Sequence, residues 1–279
     1  MSQSGALLGP PSSGGAPLGR VSLVGAGPGD PELLTVRACR RLAEADLVLF
    51  DALATPDLRA LAPEARWFYV GKRAGRESMS QETINRLLIR EARRGRDVVR
   101  LKGGDPFVLG RGGEEALALV HAGIPFEIIP GVSSAVAAPG LAGIPITHRG
   151  LASGYLVLSG HAPEAYRPLL RHLPASGLTL VVLMGYGHRA DIVATLRAQG
   201  FSAETPAALV AGAATSGAWR WTGPLEALAT VELPLHAQEA AAPVTLVVGA
   251  VAALGEVLAP GWPQVGAPDQ DSVKSRSLP

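Results

Sequence analysis

A chain of 279 residues with 47% apolar content can bury a large core and has room for two domains, and none of its apolar runs is long enough to cross a bilayer. Its 25 Lys and Arg against 24 Asp and Glu leave a net charge of +1, so no global field recruits nucleic acid or an anionic membrane. The single cysteine, Cys39, excludes an internal disulfide and fits a reducing compartment, and with six histidines that lack ligand spacing it excludes a zinc site.

Residues 1–19 are rich in Gly, Pro and Ser without periodicity and read as a disordered leader. They lack the charged start and apolar stretch of a secretory signal, so the expected location is the cytoplasm. Strands are expected over Arg20–Val24, Asp46–Phe50, Trp67–Val70 and Asp97–Leu101. Helices are expected over Pro31–Ala45, Ser80–Arg94 and Gly113–Ala122. Asp30 followed by Pro31 opens the first, Ser78 and Gln81 have capping-box spacing for the second, and Gly95 and Gly123 stop the later two.

The segment Pro130–Gly150 carries the chain between halves. The second half then places strands at Tyr155–Leu158, Leu178–Met184, Ala207–Val210, Trp219–Thr222 and Val244–Val248. The expected fold is α/β, with an N-terminal α/β domain over 20–135, a linker over 136–153, a C-terminal α/β domain over 154–259 and a disordered tail over 260–279. The first sheet should be mainly parallel and the second, with more strands per helix, mixed. A cleft between the two domains is the favoured ligand position.

Two stretches carry most of the chemistry. Val21-Ser-Leu-Val-Gly-Ala-Gly-Pro-Gly-Asp30 runs from strand through a glycine-rich turn into a helix, and Val98-Val-Arg-Leu-Lys-Gly-Gly-Asp-Pro-Phe107 does the same, reaching a glycine-flanked Arg111. The first is a failed dinucleotide fingerprint: Asp30 stands at its third glycine, and Pro28 removes a backbone N–H that a pyrophosphate needs. A third small-residue turn, Pro130-Gly-Val-Ser-Ser-Ala135, offers either a ligand-binding helix start or an ordinary serine cap. Lysine occurs only at 72, 102 and 274, and both Lys72 and Lys102 end strand-like runs beside glycine, where a compact ammonium fits a specific need. Arg93-Arg-Gly-Arg96 at a helix end reads as a solvated basic face.

These motifs, with Val70-Gly-Lys-Arg-Ala-Gly75, Gly143-Ile-Pro-Ile-Thr-His-Arg149 and Met184-Gly-Tyr186 in the same order, resemble the tetrapyrrole methylase family over about residues 20–250. The resemblance implies the class III methyltransferase fold and S-adenosylmethionine as cofactor, leaving S-adenosylhomocysteine, with the cofactor folded sharply in the interdomain cleft. It implies C-methylation of uroporphyrinogen III at C2 and C7 to precorrin-2, for sirohaem or cobalamin, by a homodimer. Carried over residue by residue, the cofactor contacts fall on Pro28, Gly103, Gly104, Asp105, Val108, Ser133, Ser134, Met184 and Ala213. Proton-transfer and substrate positions fall on Asp51, Lys72, Arg111, Glu114, Arg149 and Met184. A methylase of a later corrinoid precursor and a non-catalytic cofactor- or tetrapyrrole-binding protein remain the alternatives.

Methyl transfer from a sulfonium to an electron-rich pyrrole carbon is an in-line displacement that needs alignment, after which a proton must leave the ring. Asp51 and Glu114 are the acidic candidates for that proton; Arg111 and Arg149 suit the substrate's carboxylates, because a guanidinium is a poor base and a good planar fork. The sequence departs from the family where Tyr-Asp-Arg-Leu is common: Phe50-Asp-Ala-Leu53 replaces an arginine by Ala52. Ser133-Ser134 stands where Thr-Ala is common, and Ala211-Gly-Ala-Ala-Thr215 replaces a glycine-rich loop. No further nucleotide-binding domain of the fused sirohaem synthases is expected, which assigns oxidation and iron insertion to other proteins.

Overall fold

The computed structural model describes residues 17–51, 56–71 and 79–262. Strands β1 (Val21–Gly25), β2 (Leu47–Phe50), β3 (Arg66–Tyr69), β4 (Val98–Lys102) and β5 (Phe126–Ile129) form a wholly parallel sheet in the order β3-β2-β4-β1-β5. Helices α1 (Val36–Ala43), α2 (Pro56–Ala60), α3 (Gln81–Arg93) and α4 (Gly112–His121) cross between them. Period-two alternation sends Val21, Leu23 and Leu49 to one face, with Leu88 and Leu119, and Val24, Val48 and Leu101 to the other, with Leu42 and Leu58. Each of these leucines is fully or almost fully buried, worth about 1.5–3 kcal/mol apiece as an upper bound.

After α5 (Ser134–Leu141), the second sheet comprises β6 (Ala152–Ser159), β7 (Gly177–Leu183), β8 (Pro206–Ala211), β9 (Trp219–Pro224) and β10 (Val244–Val248). Its order is β6-β7-β10-β8-β9; β6 and β7 run parallel and the other neighbours antiparallel, the mixed sheet expected from the strand-rich pattern. Helices α6 (Pro163–Leu170), α7 (Arg189–Ala198), α8 (Leu225–Leu228), α9 (Leu235–Glu239) and α10 (Leu254–Leu258) complete this half. Tyr166, Ile192, Leu196 and Leu225 cover one face of the sheet. The other face, with Ala208, Val210 and Val247, packs on Ala138 and Ala142 of α5 and on Val251. So α5 starts at the end of the first sheet and spends its body against the second, although the segment reads by composition as a mere connection.

Other elements differ from the sequence expectation for local reasons. The helix expected over Pro31–Ala45 splits: Asp30 caps a single 3-10 turn, Pro31–Leu33, and Thr35 then caps α1 afresh by accepting from the Ala38 N–H. Ser80 is the cap of α3, accepting from the Thr83 N–H, whereas Ser78 lies outside the described residues. β5 was not expected from the sequence at all. Arg220, buried completely on β9, ties the end of α5 and the region of α10 to the second sheet by donating to the carbonyls of Ala142, Gly255 and Ala259 at 2.6, 2.9 and 3.1 Å.

Candidate functional site

The three small-residue turns sit at the carboxyl ends of β1, β4 and β5, which are adjacent strands, and they touch. Gly27 and Gly104 exchange backbone hydrogen bonds of 3.2 and 2.7 Å, both at positive φ. A methyl group added to Gly131 would lie 2.3 Å from the Gly104 carbonyl oxygen and 2.7 Å from the Gly25 Cα, so these turns admit no side chain at their meeting point. Asp105 locks the assembly: its Oδ1 accepts from Phe107 N at 2.8 Å and its Oδ2 from Gly131 N at 3.1 Å. Ser133 caps α5, accepting from the Ala135 N–H at 3.3 Å, and Gly104 packs beside the Ser134 backbone. Pro28 is buried in the first turn. Gly29 faces the Ala214 carbonyl and Thr215, bringing the loop after β8, with Ala213, against the first half.

Beyond these turns a cavity of ≈ 530 Å³ opens between the halves, lined on one side by Phe107 and Leu109–Glu114 and on the other by Ser159 and Met184. A second cavity of ≈ 410 Å³, reaching Tyr186, Leu233 and Ala242, begins on the far side of Met184. Among the described residues, Leu109, Arg111 and Met184 are three of four non-glycine residues with positive φ, at 53°, 58° and 58°. All three line the cavity between the halves. Such conformations cost about 1–2 kcal/mol each and concentrate where a site needs a side chain aimed.

Arg111 stands at the cap position of α4 without capping it. Its guanidinium instead forks onto Glu114, Nε to Oε1 at 2.8 Å and Nη2 to Oε2 at 2.7 Å, and both side chains are more than half exposed. The fork holds the Glu114 carboxyl below the usual carboxylate range and raises the Arg111 guanidinium. Val108 is exposed on the same loop.

Asp51 follows Phe50, whose ring is set by edge contacts with Trp67 and Tyr69. It faces a charge network that sequence reading reached only at Lys102. Arg100 Nη2 lies 3.7 Å from Asp51, while Arg100 Nε donates to Glu115 at 3.0 Å. Arg100 also donates to the carbonyls of Leu49 and Leu101. Lys102 Nζ stands 3.1 Å from both Glu115 oxygens, and Gln81 of α3 donates to Oε1 at 3.1 Å. Burial lowers the Lys102 ammonium, with Arg100 adding to the shift and Glu115 and Asp51 opposing it. The signal for this cluster was present: Arg100 and Lys102 share one face of an otherwise apolar strand, and Glu115 lies in the first turn of the next helix.

The structure therefore gathers Pro28, Gly103, Gly104, Asp105, Ser133 and Ser134 at one end of the first sheet, and brings Arg111, Glu114 and Met184 to one cavity. Arg149 is exposed on the turn between α5 and β6, its carbonyl 2.8 Å from His148 Nδ1, and it does not line that cavity. Lys72 and Ala52 lie outside the described residues. No metal-binding group of His, Cys, Asp and Glu occurs among the described residues, and no helix there is long and apolar enough to cross a membrane.

Two α/β halves, with side-chain-free turns facing a cavity between them, define a protein that holds a small molecule at its domain seam. The chain belongs to the tetrapyrrole (corrin/porphyrin) methylases, whose family profile matches residues 20–229. A uroporphyrin-III C-methyltransferase of Thermus thermophilus, solved in complex with S-adenyl homocysteine, shares 44% identity and superimposes with a TM-score of 0.71 over 85% of this chain and 100% of that one. A uroporphyrinogen-III C-methyltransferase of Methanocaldococcus jannaschii is 47% identical over 197 residues, 69% of this chain and 81% of its own length. A siroheme synthase of Ectopseudomonas mendocina is 45% identical over 251 residues, 88% of this chain; the chain spans only 54% of that longer protein.

Proposed function

We propose that this protein transfers methyl groups from S-adenosylmethionine to C2 and C7 of uroporphyrinogen III, giving precorrin-2 for sirohaem or cobalamin synthesis. The observation that carries the reading is the meeting of three glycine turns beside a cavity bounded by Arg111, Glu114 and Met184, in a chain so similar to two uroporphyrinogen-III methyltransferases. The turns fit the cofactor: with no side chain at their junction, backbone groups of Gly103, Gly104, Ser133 and Ser134 can approach a ligand closely, and Pro28, Asp105, Val108, Met184 and Ala213 surround them. The bound sulfonium supplies the methyl group.

The residues of the chain do the rest by position. Arg111 and Arg149 bind substrate carboxylates, and Glu114 holds the Arg111 fork in place until a substrate carboxylate replaces it. With Glu114 clamped and kept ionised by Arg111, Asp51 is the carboxylate assigned to receive the ring proton, and Lys72 completes the proton-transfer set. Met184 aligns the substrate between the two cavities. The working unit is a homodimer, a reading supported by the exposed apolar side chains of Leu117 and Val120 on α4, and its place is the cytoplasm, a reading supported by a single cysteine that suits a reducing compartment. The domain units are 20–135 and 154–259, and the joining stretch 136–153 includes the body of α5 and the start of β6, which pack with the second.

An anaerobic assay tests this. Purified protein, S-adenosylmethionine and freshly prepared uroporphyrinogen III should yield a product two methyl groups heavier by mass spectrometry. Intact S-adenosylhomocysteine binding with no methyl gain would refute the assignment of this acceptor.

A further inference from the structure

Four charges meet at the carboxyl ends of β2 and β4: Asp51, Arg100, Lys102 and Glu115. Glu115 is fully buried and already receives Arg100 and Gln81 on Oε1. Its Oε2 is buried without a hydrogen-bond donor, so the Lys102 ammonium 3.1 Å away is what offsets it. Lys102 also donates to Oε1, so Glu115 draws two cations, one of them an ammonium that burial disfavours. The arrangement makes sense through Arg100, which is shared between two carboxylates at unequal distances, 3.0 Å to Glu115 and 3.7 Å to Asp51.

We propose that the buried Lys102–Glu115 pair positions Asp51 for proton removal by controlling Arg100. Glu115 holds the guanidinium back, and Lys102 balances Glu115 so that the hold is incomplete. Asp51 then keeps one long contact to Arg100, enough to orient its carboxylate and too weak to tie it up. The inference rests on the proposed methylation and on Asp51 as its proton acceptor. If Glu115 loses its charge, Arg100 and Lys102 are both left facing Asp51, which becomes a locked partner in a salt bridge. If Lys102 loses its charge, Glu115 draws Arg100 away and Asp51 loses its orienting contact. Among the described residues, the other charges acting on this group are Arg111 and Glu114, which feel Glu115 and Lys102 respectively and pair with each other. Glu115 and Lys102 are positioning residues; neither needs to touch the substrate.

The test compares wild type, Glu115→Gln and the double variant Lys102→Met with Glu115→Gln, measuring kcat, KM for uroporphyrinogen III, S-adenosylhomocysteine affinity and thermal midpoint. Glu115→Gln should lower kcat about 10- to 100-fold, up to the lower end of what a positioned proton acceptor contributes, with KM and cofactor-product affinity within about twofold. The double variant, which removes one cation with one anion, should recover about tenfold of that loss. A wild-type kcat in Glu115→Gln overturns the proposal. So does a double variant that falls further while affinity and thermal midpoint fall with it, the pattern of a purely structural pair. Should Glu115→Gln not fold, Lys102→Gln carries the same test: kcat alone should drop, and a wild-type kcat overturns the inference. Absence of turnover in the wild type would instead refute the proposed reaction, and the positioning role with it.

Discussion

Replacing Gly131 by alanine tests the junction of the three turns most directly. The added methyl carbon would lie 2.3 Å from the Gly104 carbonyl oxygen, against ordinary contact from 3.4 Å outward, so about 1 Å of separation must be found. All three nearest atoms are backbone, belonging to Gly104 and Gly25, and no side chain can swing away to make room. The turn must therefore move as a unit. Overpacking of this kind costs about 1–3 kcal/mol of stability. A displacement of about 1 Å in a positioned site costs on the order of 100-fold, or about 2.8 kcal/mol. Calorimetric titration with S-adenosylhomocysteine should show that loss, and a thermal melt should show the destabilisation. Gly140→Ala is the control, on the exposed side of α5 with nothing within 4 Å of the added carbon. It should leave binding unchanged and stabilise by about 0.5–1 kcal/mol. Binding within about threefold of wild type in Gly131→Ala, with an unchanged melt, would refute the reasoning that these turns form one rigid platform.

Two further outcomes concern stability. Arg220→Met removes three carbonyl partners, but Gly255 O and Ala259 O still accept from Ala259 N and Trp262 N, so only Ala142 O is left without a donor. One orphaned carbonyl and two weakened ones, less the relief of burying one charge fewer, come to about 2–3 kcal/mol; an unchanged or raised melting temperature by circular dichroism would show that the buried charge is a net cost. Asp191 is held below its ordinary range first by Arg167 and then by the buried Tyr166 hydroxyl. Folding therefore releases protons there: the contribution is full above the unfolded value and lost as pH falls through the lowered folded one. The destabilisation caused by Asp191→Asn should be largest near about pH 7 and shrink below about pH 4; equal losses across that range would refute the linkage.

Much of this architecture can be read from the sequence because its signals are local. Apolar runs ending in glycine mark β1 and β4, and the recurrence of such turns marks the junction proposed to hold the cofactor. What escaped did so for nonlocal reasons. β5 is four residues long with a carboxylate inside it, and it is tolerated because Glu127 is held by Ser22 and Arg41 from neighbouring elements. α5 contains Pro139 and begins among small residues, so its composition reads as connection, while its stability comes from burial against Val210 and Val247. The clamp between Arg111 and Glu114 turns two residues expected to act separately into a pair, a pairing that their i,i+3 spacing at the start of a helix allows. Glu114 comes from the family resemblance, whereas Glu115 beside it has no signal in the sequence of its own; one faces the solvent and the other is fully buried.

The position of β1 within its sheet has a consequence for how the chain is made. β1 precedes the other described strands in the chain, yet its two neighbours are β4 and β5, whose first residues are Val98 and Phe126. At about 5–20 residues per second, the roughly 100 residues separating β1 from β5 occupy the ribosome for about 5–20 s. Until β4 emerges, five consecutive residues destined for burial, Val21–Gly25, have no permanent partner, and one edge of β1 stays open until β5 follows. Pairing across such separations is slow to nucleate and exposes the nascent chain to wrong contacts, a window that a chaperone is suited to cover. The same ordering stages the junction of the three turns: those after β1 and β4 can join once β4 pairs with β1, and the third closes the junction only when β5 docks on the other edge of β1.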